Sequence, residues 1–508
     1  MAKKKVIVIG AGIGGLSAAV QLAYRGFDVT VLEKNASPGG KIIQLKKNGF
    51  TFDGGASFIT LSNVYRDWFT SVGKNMDDYI TFKKMKDTTT FYFHNKKKLT
   101  LSTDYNDVRN QIQKTFPGEE NGFDAFMKIS KDTYDLLYDG PQFARRNYDK
   151  LMGFDFVFDP SLLPSLPKLH FWESWKNIVD RCFKAPELRA VFSYQASFMG
   201  MKPSEALGTY AFFPWAEIED GMYIIDGGVY GIVEGFVKLA KEMGVTFVYN
   251  AEVKKLNYTG SNLQSVTSTK GEHSADIFVS NADGAWFYSH LMPPEKNTHY
   301  SDQTLRKMKH TNSYFTINLG LKKPIKELSH HTFFVAENWN DYFEKMFEPG
   351  SVPKLTFKNT CYYLIQKSMQ HPEMAPKGKA CAFILVPVCG YDPDFDWNTY
   401  EDTFKNFIYD MIEQRDGIPI RSLIEEEIVY SPARWGKEFN LWENIILSFS
   451  LNFMQANGFR MPNKSREFSN LYFAGSSTIP GPGVPTCITS GELVAQRIEK
   501  DVMNSSRI

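Results

Sequence analysis

Cysteine is scarce. The chain has five in 508 residues, Cys182, Cys361, Cys381, Cys389 and Cys487, and no two stand in a C-x-x-C spacing. That argues against a disulfide framework and against a thiolate zinc site, and it suits a reducing cytosol. Neither sign of charge dominates. Lys and Arg number 58 and Asp and Glu 57, a net charge of +1. A nucleic-acid binder relying on a broad positive field is thereby disfavoured. Hydrolytic motifs are missing too. There is no H-E-x-x-H, no G-x-S-x-G and no P-loop, and the nine histidines show no ligand spacing. His330-His331 reads as a surface pair. No metal is expected, so the chemistry should sit in an organic cofactor. Internal repeats and low-complexity tracts are also lacking. Only one run, Val6 to Tyr24, is uncharged for long enough to imitate a membrane span or a signal peptide. Its glycines obey another logic, described next. Without a further candidate span, the chain is expected to be soluble or peripheral to a membrane.

What is present begins with that run. Val6 to Ile9 reads as a buried strand, followed by a glycine turn and a helix from Leu16 to Arg25. Gly26 stops the helix, and Val29 to Leu32 form a second apolar strand. Gly10, Gly12 and Gly15 fit G-x-G-x-x-G. The first permits a tight turn, the second lets a pyrophosphate approach the backbone, and the third lets helix and strand pack closely. Glu33 closes the second strand, where an acid accepts hydrogen bonds from a ribose hydroxyl. The helix N-terminus offers free N–H groups to phosphate. Asn35 to Lys41 then carries Gly39 and Gly40 beside a base, and Phe50 to Ser57 carries Asp53, Gly54 and Gly55. Both are loops whose backbone can approach a flat ring or a ribose. The length implies two or three domains. With 15% aromatics and 41 Phe, the chain has either a large apolar site or an aromatic-rich core.

These residues carry a resemblance. Glu33-Lys34, Gly39-Gly40-Lys41 and Gly49-Phe50-Thr51-Phe52-Asp53-Gly54-Gly55 resemble the flavin-binding entry of the amine-oxidase-like flavoproteins, in particular the carotenoid (phytoene-type) desaturases. The usual Arg after the glycine pair is Lys41 here, which keeps a charge and loses the bidentate fork. Phe192 to Pro203, with Gln195 and Gly200, resembles a desaturase motif, as does Pro214 to Gly231, with Glu217, Gly227, Gly228 and Tyr230. At the C-terminus Asn470 to Pro485 resembles the strand and glycine-proline loop that cover the flavin ring, except that the usual His is Ile479.

The resemblance implies an α/β fold: a Rossmann-type FAD-binding domain, an inserted mixed α+β substrate domain, and a helical, membrane-associating cap. FAD-binding segments are expected at 1–75, 201–289 and 466–508, a substrate and membrane segment at 76–200, and a substrate domain at 290–465. It implies FAD held through Gly10, Gly12, Gly15, Glu33, Lys34, Gly40, Lys41, Gly54, Gly55, Ser57, Val253, Gly475, Ser476, Gly483 and Val484. The implied reaction is desaturation of phytoene or 4,4'-diapophytoene by hydride abstraction and proton loss, with quinone or oxygen as electron acceptor. The protein must supply a weak base or a negative field, and Glu217 is the candidate for that field, with a salt bridge at a domain hinge as its alternative. Gln195 and Tyr230 are substrate-pocket candidates. Terminal-methyl oxidation, polyene saturation or isomerisation on the same scaffold stay open, as does a non-enzymatic lipid escort. A hydrocarbon substrate also implies a monotopic protein on the cytoplasmic side of a membrane. Phe143 to Trp175 is the expected anchor, with Arg145 and Arg146 at headgroups and Phe171, Trp172 and Trp175 at the interface.

Overall fold

A computed structural model describes residues 3–139, 163–456 and 459–505. Most of the expected anchor, including Arg145 and Arg146, lies outside them.

Five short strands form a parallel sheet in the order Leu471–Phe473, Ile277–Ser280, Lys5–Ile9, Asp28–Leu32 and Thr246–Val248. Lys5–Ile9 is central and nearly wholly apolar, as a strand covered on both faces must be. The helix Ile13–Tyr24 packs on one face with the helices Tyr230–Glu242 and Val484–Ser505. It starts three residues earlier than the hydrophobic pattern predicts, because Gly14 and Gly15 are helical. A Cβ on Gly15 would lie 2.2 Å from the Gly10 carbonyl, so the close helix–strand approach requires glycine there. The sheet thus draws its strands from stretches far apart in the chain.

A second sheet has seven strands in the order Ile424–Tyr430, Ser313–Leu321, Ala380–Val388, Tyr362–Ile365, His331–Val335, Asp87–Phe93 and Lys98–Ser102. All neighbours are antiparallel except Asp87–Phe93 against His331–Val335. The hairpin of Asp87–Phe93 and Lys98–Ser102 is therefore the edge of a larger sheet. Helices Tyr105–Thr115, Glu120–Tyr134 and Trp175–Cys182 share one apolar core with this sheet. The first is capped by Asp104, whose carboxylate accepts from the Asn106 and Asp107 amides.

Two expectations are corrected here. Trp175 is not at an interface. Its side chain is fully buried, and its indole N–H donates to Phe192 O at 2.8 Å. Ser174 caps the helix that Trp175 opens, which turns the indole into the core. Phe171 and Trp172 are exposed. His330 and His331 are not a surface pair either. They lie at the start of an inner strand and are buried, His330 against Gln366 O and His331 against the Tyr363 hydroxyl. Among the described residues, no helix is long and apolar enough to cross a membrane.

Candidate active site

The glycine turn is built around φ angles that a side chain disfavours. Gly10 has φ +97°. A Cβ on Gly12 would sit 2.5 Å from Asn281 Oδ1, and one on Gly14 would sit 2.9 Å from Gly475 Cα. Asn281 ends the neighbouring strand, and its amide donates to Ala474 O at 2.7 Å. It ties the first glycine loop to the C-terminal one. Gly39 joins from a third direction, its N–H donating to Ala11 O at 2.8 Å. Glu33 is buried and braces the turn: Oε2 accepts from the Ala11 amide at 2.7 Å and Oε1 from the Asn35 amide at 2.8 Å. Each oxygen has acceptor capacity left for a ribose hydroxyl. Burial raises its pKa, against those two hydrogen bonds. The backbone of Glu33 pairs with Val248 and Ala251, which brings buried Val253 to the same strand ends.

Beyond the turn, Gly55 has φ +85°, and a Cβ there would strike Lys41 O at 1.8 Å. The Gly54-to-Ser57 loop thus lies directly on the Lys41–Ile42 backbone. Gly475 and Gly483 also take positive φ, and Gly483 immediately precedes the helix Val484–Ser505. Ser476 Oγ lies 3.3 Å from Lys41 Nζ. Lys34 turns elsewhere, its ammonium held by Lys437 O at 3.0 Å and Asn440 Oδ1 at 2.5 Å.

Glu217 is fully enclosed on a short helical turn, Ala216–Asp220. Oε1 accepts from Thr88 Oγ1 at 2.7 Å and Thr89 Oγ1 at 3.2 Å. Oε2 accepts from Tyr194 OH at 3.0 Å and Gln195 Nε2 at 2.7 Å. All four donors are neutral. The salt-bridged hinge alternative is thereby corrected, since no cation touches this carboxylate among the described residues. Burial raises the Glu217 pKa, and the four hydrogen bonds oppose it. Gln195 keeps a buried amide oxygen with no hydrogen-bond partner. Tyr194 also meets Phe58 edge-on at 6.4 Å between ring centres, with Phe91, Phe198 and Phe333 around it. Phe58 directly follows the Gly54-to-Ser57 loop, so Glu217 sits one aromatic layer from the glycine loops.

Tyr230 does not join Gln195 and Glu217 by any of its hydrogen bonds. Its hydroxyl donates to Pro38 O at 3.0 Å, and its ring edge would lie 3.2 Å from a Cβ on Gly39. It braces the Gly39–Lys41 loop. Sequence reasoning missed Asn281, Tyr194 and Arg460 as site residues. None stands at a diagnostic spacing, and a buried Arg in a loop has no signature.

The loops fit a dinucleotide flavin on two structural grounds. Four glycine loops converge, and a Cβ on Gly12, Gly14, Gly39, Gly55 or Gly475 would strike a neighbour. Arg460 is buried and Lys41 half-buried beside them, and no carboxylate touches either among the described residues. Burial lowers both pKa values, Arg460 to about 10. An enclosed ion costs several kcal/mol unless paired, on the order of the effective penalties in real proteins. A bound anionic cofactor supplies that pairing.

Comparison with known proteins agrees. The zeta-carotene-forming phytoene desaturase of Myxococcus xanthus is 30% identical over 497 residues, covering 97% of this chain and 94% of that protein. The 4,4'-diapophytoene desaturase (4,4'-diaponeurosporene-forming) of Staphylococcus haemolyticus is 29% identical, covering 98% and 99%. An oxidoreductase structure from Methanosarcina mazei has the same fold, with a TM-score of 0.62 at 15% identity over 98% of this chain and all of that one. The family model described as flavin containing amine oxidoreductase matches residues 13–499. The chain belongs to the flavin containing amine oxidoreductase family, and its cofactor is FAD.

Proposed function

We propose that this protein is an FAD-dependent carotenoid desaturase that acts on phytoene or 4,4'-diapophytoene and introduces a double bond into a CH–CH unit. The observation that carries this reading is similarity over nearly the full chain to relatives that bear those names. FAD, when bound, supplies the hydride acceptor. The chain's own residues do the rest. Removal of hydride from an allylic carbon leaves a carbocation, and loss of a neighbouring proton completes the alkene. Glu217 supplies a negative charge that no cation among the described residues contacts and a pKa raised by burial, both of which suit a proton acceptor. Tyr194 and Gln195 hold it, and the Phe58, Phe91, Phe198 and Phe333 rings give a dry wall that excludes water.

The cofactor contacts proposed are Gly10, Gly12, Gly15, Glu33, Gly40, Lys41, Gly54, Gly55, Ser57, Val253, Gly475, Ser476, Gly483 and Val484. Lys34 is left out, because its ammonium is engaged by Lys437 O and Asn440. The domain division proposed is the one set out above, with 1–75, 201–289 and 466–508 around FAD. The substrate dissolves only in a bilayer, so the protein works at a membrane surface and passes its electrons to quinone or oxygen. A lipid escort would have no use for a buried Arg460 and a half-buried Lys41 beside a nucleotide cradle. Expression in a cell that accumulates phytoene, and separately in one that accumulates 4,4'-diapophytoene, tests the reading. A coloured, red-shifted polyene is expected in one of them. An unchanged pigment profile in both hosts, from a yellow purified protein, would refute it.

A further inference from the structure

Arg460 matches no motif, yet it is 3% exposed and holds the C-terminal loop from behind. Nε donates to Thr478 O at 3.0 Å and Nη2 to Ser476 O at 2.6 Å. Nη1 lies 3.3 Å from both Ser450 O and Gln455 O and 3.4 Å from Phe449 O. Every one of these partners is a neutral carbonyl. Beside Ser476 stands a second, half-buried cation, Lys41, with Nζ 2.5 Å from Ile446 O and 3.3 Å from Ser476 Oγ.

Among the described residues, the carboxylate acting on both is Asp283. Its oxygens are engaged by the Trp286 amide at 3.0 Å and by Ser477 Oγ at 3.1 Å, and it contacts neither cation. Two cations against one carboxylate leave one positive charge on this loop. Cys487, Tyr210 and Tyr300 also face Arg460. Burial pushes the Cys487 thiol to about 11 and raises the Tyr300 phenol, so neither offsets that charge near neutrality.

A hydride carries two electrons and one proton. A neutral flavin ring that accepts one therefore gains one negative charge, while the substrate is left with one positive charge until its proton departs. We propose that Arg460 is a positioning residue whose fixed charge balances the reduced, anionic flavin and raises its reduction potential. Its carbonyl grip on Ser476 and Thr478 sets where that charge sits. Lys41 lies against the Gly40 and Gly55 backbone, so the diphosphate is the other anion that could use this positive region. The inference shares with the desaturase reading only the need for FAD, and its test uses no carotenoid, so the two can fail separately.

The test is the midpoint potential of the purified flavoprotein, measured by dye equilibration across neutral pH. The wild type should fall by about 30 mV per pH unit, one proton for two electrons. A slope near 59 mV, two protons for two electrons, would mean a neutral reduced ring and overturn the proposal. Arg460→Gln should make reduction about tenfold less favourable, a drop of about 30 mV, with FAD content preserved. Arg460→Lys should restore most of that loss and keep the wild-type slope. Weaker FAD binding in Arg460→Gln at an unchanged potential would assign the charge to the diphosphate and overturn the proposal. If Arg460→Gln does not hold FAD, the slope and potential of Arg460→Lys decide: a wild-type pair supports the role, and the steeper slope refutes it.

Discussion

Glu217 shows how much a single residue's surroundings decide. Four neutral hydrogen bonds make an enclosed carboxylate tolerable without a cation and leave its charge available. Glu217→Gln should lower turnover by about 10²- to 10⁴-fold, the usual range for loss of a general base, with FAD absorbance unchanged. The same residue has a stability signature. Its folded pKa is raised, so its destabilising contribution is absent below the unfolded value and grows as pH rises through and past it. Unfolding by urea should therefore show wild type losing stability from acid toward neutral pH more steeply than Glu217→Gln. Equal slopes would mean that the carboxylate is not as isolated as its partners indicate. At Gly12 the deciding fact is space. Gly12→Val places a side chain against Asn281 Oδ1 where 2.5 Å is free, and the purified variant should be colourless. A yellow variant would count against the cradle.

Among the elements, the helix Tyr230–Glu242 depends on a residue far away in the chain. Asp53 is buried at its N-terminus and accepts from the Val229 amide at 2.5 Å and the Tyr230 amide at 3.1 Å. Lys367, also enclosed, is its ion-pair partner at 3.7 Å. The sequence pattern shows Asp53 only as part of a glycine turn. Its work as a remote helix cap and counter-ion needs the tertiary fold. Asp53→Ala strands Lys367 and should cost on the order of 3–5 kcal/mol in urea unfolding, with Asp53→Asn milder because it keeps a capping oxygen. The helix Trp175–Cys182 carries a comparable dependence. Trp175→Ala removes a core indole and its bond to Phe192 O, and should cost on the order of 3–5 kcal/mol.

For the whole molecule, the proposed hydrocarbon substrate calls for a surface that meets a bilayer. The described residues put Phe171 and Trp172 on the surface, 37% and 57% exposed, while Trp175 is core. Only the first two can insert into a bilayer. Phe171→Ser with Trp172→Ser should reduce flotation with anionic liposomes and leave FAD content and thermal stability near wild type, since exposed rings contribute little to folding. Undiminished flotation would place the membrane contact elsewhere.

The sequence by itself determined the dinucleotide cradle. Gly10, Gly12, Gly15 and Glu33 must lie close together because one strand, one turn and one helix connect them, and local steric rules leave few alternatives. It also carried the α/β character and the family resemblance, since Gly39–Lys41, Gly54–Gly55 and the C-terminal loop are contiguous motifs. Tertiary structure alone decided the rest. Burial of His330 and His331 follows from an inner place in a sheet whose strands come from two widely separated stretches of the chain. Trp175 and Phe171 are both aromatic and nearly adjacent, so only packing separates core from surface. Tyr230 braces a loop and Glu217 has no cation because of which strangers in sequence surround them. Arg460 is enclosed beside Ser476 for the same reason: charge, burial and partner are properties of a place in space, and no spacing along the chain encodes them.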